Sequence, residues 1–263
     1  MYPVLFSIGR LNIYSWGLMV ALALLFGIIW VGKSAEKRKV ATFDQILDLA
    51  LYVIVGGFIF AKIVSVLYEF ESFRQDPLAF FSGYSGSFFG AVIGGVLLGV
   101  YYTKRAKLDT WRLADLVAVY IPLGHILGRI GCFLGGCCYG VVSDLPWALP
   151  CAVSDQLPRH PTQIYEIIGN LFLFAVLFLV SRRQEKRGSG HFPGFIFWLY
   201  VGLYCLLRIV VEIFRDSQML AFGWLRITQA FAFPIAVVVF VYICYRLKKE
   251  ARKEQHAAST IQR

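Results

Sequence analysis

Apolar residues run almost unbroken for about 17 to 25 positions at a time, and the polar residues gather between these runs instead of on one helix face. The runs fall at roughly 13–32, 46–68, 86–102, 114–131, 162–181, 192–213 and 224–246. About 20 residues of helix cover a hydrocarbon core about 30 Å thick, so each run predicts a transmembrane helix. The third is short and Gly-rich, and the fourth and sixth carry charges. The first is too long for a cleavable signal peptide, its basic cluster follows the apolar stretch, and no A-x-A site comes after it.

Composition strengthens this picture. Of 263 residues, 58% are hydrophobic and only 16% charged, where a soluble domain carries about a quarter. The expected fold is therefore all-α: a polytopic membrane protein of about seven spans forming a single domain over 1–263. Its outer loops would lie at about 69–85 and 131–161, with a basic tail at about 247–263.

Charge fixes the expected orientation. GKSAEKRK, TKRAK, SRRQEKR and YRLKKEARK follow runs one, three, five and seven. The positive-inside rule puts all four in the cytoplasm, with the N-terminus outside and the C-terminus inside. The net charge of +10 then reflects topology and anionic lipid heads, and argues against a nucleic-acid partner.

Ionisable groups embedded in the runs are costly and mark candidate sites. They are Lys62 in run two, His125 and Arg129 in run four, and Arg208 and Glu212 in run six. His125 and Arg129 are spaced i,i+4, as are Arg208 and Glu212, so each pair shares a helix face. Snorkelling explains Lys62 equally well, and a structural ion pair is an alternative for Arg208 and Glu212. Several basic groups at one outward-facing depth would receive an anionic lipid head group.

Gly86, Gly90 and Gly94 recur every four residues, with Gly95 and Gly99 on an adjacent stripe, and predict close helix packing. His160 could be a ligand or a base, and reads first as a solvated interface residue. Cys132, Cys137, Cys138 and Cys151 fall outside, where disulfides are permitted, without a readable connectivity. The spacing CFLGGCC lacks paired C-x-x-C ligands, so no metal and no cofactor is expected.

GRIGCF…YG, RHPTQIYE and YVGLYCLLRIVVEIFR, in that order within seven runs, resemble the prolipoprotein diacylglyceryl transferases. The likeness extends from PVLFSIGRLNIYSWGLM to ITQAFAFP. It implies transfer of a diacylglyceryl group from phosphatidylglycerol to the lipobox cysteine thiol of prolipoprotein signal peptides, in the bacterial plasma (inner) membrane. Arg129 matches the arginine of the family signature and Gly140 its closing glycine. Arg208 and Glu212 match the sixth-span pair, with Tyr204 one turn earlier, and Lys62 stands where members usually have arginine. Cys132 replaces the signature Asn, Gly135 and Cys137 its later Asn and Glu, Phe89 the family histidine, and Trp16 a tyrosine. The resemblance thus implies Arg129, Arg208, Tyr204, Gly140 and Lys62 as substrate contacts and Glu212 as the partner of Arg208. From the residues, His125 becomes the candidate base. A transporter would show internal symmetry, which the sequence lacks. A thiol oxidoreductase would depend on the cysteines and not on the arginines.

Overall fold

The computed structural model describes residues 2–9, 11–82, 86–150, 156–187, 191–216, 220–221 and 225–261. A short hairpin, β1 (Val4–Ile8) and β2 (Leu11–Tyr14), precedes nine helices among the described residues. These are α1 (Ser15–Lys37), α2 (Phe43–Tyr68), α3 (Phe70–Gln75), α4 (Pro77–Ser82), α5 (Phe88–Arg105), α6 (Thr110–Gly135), α7 (Thr162–Arg187), α8 (Phe195–Phe214) and α9 (Ile227–Ile261). Cys151 lies outside the described residues.

The protein is helical and polytopic, as its pattern predicts. Six helices (α1, α2, α6, α7, α8 and α9) are long and apolar enough to cross a membrane. A seventh long helix, α5, occupies the third apolar run. Its 18 residues end in Lys104 and Arg105 and include four glycines, which dilute its apolar character. Many large apolar side chains stay exposed, Phe58 at 65% and Val238 at 67% among them. This is expected where the solvent is lipid and offers no hydrophobic penalty for exposure.

The chain divides into two compact units, Met1–Gly27 with Ala114–Arg263, and Ile28–Leu113. In the smaller unit, α2 and α5 pack backbone to backbone. A Cβ added to Gly94 would overlap the Gly56 carbonyl oxygen, and one on Gly90 would overlap that of Phe60. Gly95 and Gly99 face Val53, whereas a Cβ added to Gly86 would stand 4.0 Å from Ala61 Cβ, in ordinary contact. The start of α2 is a capping box: Thr42 Oγ1 accepts from Gln45 N at 3.3 Å and Thr42 N donates to Gln45 Oε1 at 2.9 Å. Lys62 is buried on α2, where its Nζ donates to the Phe80 carbonyl at 3.4 Å.

The larger unit holds the core. Ala118 and Val119 of α6, Leu177 of α7, Phe195, Ile196 and Tyr200 of α8, and Val239 and Ile243 of α9 form one buried cluster. The Asp115 carboxylate of α6 accepts from Gly194 N at 2.8 Å and Phe197 N at 2.9 Å, satisfying orphan amides at the start of α8. Gly194 reaches that position with φ of 91°, in the left-handed region that glycine tolerates. The hairpin is tied to the far end of α6 by Tyr2 N donating to Leu134 O at 2.8 Å.

Candidate functional site

The site is built on three helices of the larger unit, and its centre is Glu166, which ends the RHPTQIYE motif but is not among the candidate site residues of the sequence. Arg129 of α6 meets Glu166 Oε2 through its Nε at 2.7 Å. Arg208 of α8 meets Glu166 Oε1 through Nη1 at 2.7 Å, and Glu212 Oε2 through Nη2 at 2.8 Å. Two guanidinium groups and two carboxylates therefore cancel in charge inside an apolar bundle. An unpaired charge at that depth costs about 2.5–3.5 kcal/mol on insertion scales. The carboxylates are almost wholly covered while Arg129 and Arg208 keep 19% and 12% side-chain exposure, so the accessible face of the quartet is its cationic one.

The i,i+4 spacing of Arg208 and Glu212 does give an ion pair, and the structural alternative for this pair is realised. It does not exhaust Arg208, which is held from two sides. Glu212 is further fixed by the chain around it, since Arg226 donates to the Glu212 and Arg215 carbonyl oxygens.

Tyr204, one turn before Arg208, lies beside Arg129. His125 lies one turn before Arg129 with its ring against Tyr204, the centroids 4.7 Å apart, and beside Asn170 of α7. Its Nδ1 is buried with no hydrogen-bond partner among the described residues, and the same holds for Asn170 Oδ1. Asn170 Nδ2 donates to the Glu166 carbonyl at 2.8 Å. The sequence therefore points to five of these site residues, His125, Arg129, Tyr204, Arg208 and Glu212, and the structure brings them together. Lys62 belongs to the other unit.

The segment after α6 is braced by the start of α7. Thr162 Oγ1 donates to the Cys138 carbonyl and Gln163 Nε2 to the Cys137 carbonyl, each at 2.6 Å. Gly140 N donates to His160 O at 2.9 Å. A Cβ on Gly140 would overlap the Phe214 carbonyl and lie 2.7 Å from His160 Cβ. Gly140 is thus required by a close approach between the loop, α7 and the end of α8. His160 is not the solvated interface residue expected; it is 9% exposed, and its Nδ1 lies 3.0 Å from the Tyr165 hydroxyl. The ring of Phe214 covers it, with centroids 5.1 Å apart. Arg159 joins the loop to the end of α8 by pairing with Asp216 at 2.8 Å and donating to Gly140 O at 3.2 Å.

Cys132, Cys137 and Cys138 are free thiols whose sulfurs all lie within 4.8 Å of one another. A vicinal pair five and six residues after a helical cysteine shows no ligand spacing in sequence. The fold-back is made by Gly136 and Cys138, with φ of 72° and 64°, and by Cys137 N donating to Cys132 O at 3.1 Å.

The chain is thus a multi-pass helical membrane protein with a buried arginine–carboxylate quartet in its larger unit. Comparison with known proteins places it further. The family model for prolipoprotein diacylglyceryl transferase matches residues 3–245. A phosphatidylglycerol–prolipoprotein diacylglyceryl transferase of Clostridium tetani is 33% identical over 256 residues, spanning 95% of this chain and 100% of its own length. That of Geobacter sulfurreducens is 33% identical over 241 residues, covering 89% of this chain and 90% of its own. That of Nostoc sp. is 32% identical over 256 residues, covering 92% and 89%. The chain belongs to the prolipoprotein diacylglyceryl transferase family.

Proposed function

We propose that this chain transfers the diacylglyceryl group of phosphatidylglycerol to the lipobox cysteine thiol of prolipoprotein signal peptides, in the bacterial plasma membrane. The products are a thioether and glycerol phosphate. The observation that carries this reading is the pair of arginines meeting on Glu166 within an apolar bundle. Arg129 meets the carboxylate through its Nε, and its side chain keeps 19% exposure. A guanidinium has five N–H donors, so Arg129 retains a fork for a phosphodiester.

Charge develops on the phosphate oxygen as the glyceryl C–O bond breaks. Donors already fixed in a water-poor site stabilise that charge without reorganising. Arg208, clamped by Glu166 and Glu212, supplies the second fixed cation. His125, one turn before Arg129 on the same face of α6, accepts the thiol proton. Tyr204 packs on the His125 ring and lies beside Arg129, between base and phosphate grip. Gly140 holds the loop against the helices and supports the site from outside it.

The test uses purified protein in phosphatidylglycerol-containing micelles with a lipobox peptide, scored by peptide mass and glycerol phosphate release. Wild type adds a diacylglyceryl mass, and Arg129→Ala and Arg208→Ala lose it. A folded wild-type protein that leaves the peptide unmodified overturns the reading. Loss of function in cysteine variants with the arginines dispensable would establish a thiol oxidoreductase instead.

A further inference from the structure

The reading above leaves the three gathered thiols without a task. Their arrangement is that of a ligand set. Cys132 is buried on the last turn of α6, Cys138 is half-buried, and Cys137 is exposed, so the cluster has a covered floor and an open mouth. Tetrahedral zinc with bonds of about 2.3 Å to sulfur separates its ligands by about 3.8 Å. Sulfurs already within 4.8 Å reach that spacing by small side-chain rotations.

The backbone that carries the ligands is fixed independently of any ion. Thr162 and Gln163 hold the Cys138 and Cys137 carbonyls at 2.6 Å, and Cys137 N is bonded to Cys132 O. Such outer contacts are what orient metal ligands.

We propose that Cys132, Cys137 and Cys138 bind a thiophilic divalent cation of the zinc class, and that its open fourth position takes the acceptor thiol of the substrate peptide. This rests on the transferase reading. Three protein ligands with one exchangeable position is the pattern of catalytic, not structural, zinc.

The chemistry balances. The peptide thiol coordinates as a thiolate, and its proton passes to His125. The sulfur lone pair attacks the glyceryl carbon of phosphatidylglycerol and forms the C–S bond. The C–O bond to phosphate breaks, and its electron pair leaves on glycerol phosphate beside Arg129. The neutral thioether is a weaker ligand and dissociates, leaving the ion on its three cysteines with no change of oxidation state. Arg129 and Cys132 stand three residues apart on α6, so phosphate grip and ion share one rigid element.

The experiment loads the full chain in nanodiscs, under reducing conditions, with zinc or cobalt. Expected results are one zinc per chain and sulfur-to-cobalt charge-transfer absorption in the cobalt form. Cys137→Ser, at an exposed position that leaves the fold undisturbed, weakens zinc binding at least about tenfold, as do Cys132→Ser and Cys138→Ser. A lipobox peptide shifts the cobalt bands, whereas the same peptide with Ser in place of Cys does not. The proposal is overturned by absence of the charge-transfer bands, by a disulfide within the cluster after reduction, or by bands that ignore the cysteine peptide. Peptide mass is scored in the same samples. Diacylglyceryl transfer by metal-free protein overturns the proposal and leaves the transferase reading intact. Bands that respond to the peptide without transfer support the site and remove the transferase reading.

Discussion

Arg129 meets Glu166 Oε2 through its Nε at 2.7 Å and Arg208 meets the other oxygen of the same carboxylate, so one acid positions both guanidinium groups. Lysine at position 129 would keep the charge but lose the planar fork. Arg129→Lys is expected to retain folded protein and to lower transfer about a hundredfold, read as peptide mass gained per unit time under saturating phosphatidylglycerol. A variant within twofold of wild type would show that a point charge suffices.

Glu166 binds two arginines, and removing it leaves both charges uncompensated in the bundle. Breaking a buried ion pair from one side costs about 3–5 kcal/mol. Glu166→Ala is expected to lower the midpoint of thermal unfolding in nanodiscs by more than Glu212→Ala does, because Glu212 meets only one of the two arginines. Differential scanning of the two variants side by side checks the order.

Gly140 sits where the loop, α7 and the end of α8 converge. A methyl group there would overlap the Phe214 carbonyl and press on His160 and Thr162. Gly140→Ala is expected to destabilise by about 1–3 kcal/mol through overpacking. Transfer should fall in proportion to unfolded protein, so activity normalised to the folded fraction should stay near wild type.

Gly94 makes the α2–α5 contact possible. Gly94→Val should force those helices apart, at a cost of about 1–3 kcal/mol. Engineered cysteine pairs across α2 and α5 would report the separation by loss of crosslinking.

Much of this was written in the sequence because lipid imposes a simple rule, and runs of apolar residues of the right length have few other fates. Arg208 and Glu212 were legible as a pair because a single helix sets their distance. Glu166 was not, since Arg208 reaches it across 42 residues of chain and no periodicity connects them. The thiol cluster was hidden for a different reason. Its geometry comes from positive φ at Gly136 and Cys138 and from two side chains of α7, none of which the cysteine spacing reveals. His160 looked like an interface residue because it stands just before an apolar run, and only the fold supplies Tyr165 and Phe214 as its cover.

Thr162, Gln163 and Glu166 all project from the opening turns of α7, and they fasten the cysteine loop and both arginines at once. The two halves of the site consequently share a foundation and cannot be tuned separately from that end. A change that tilts the start of α7 would misalign sulfur and guanidinium together, so altered substrate preference is to be sought through substitutions on α8, which carries Arg208 and none of the three clustered cysteines.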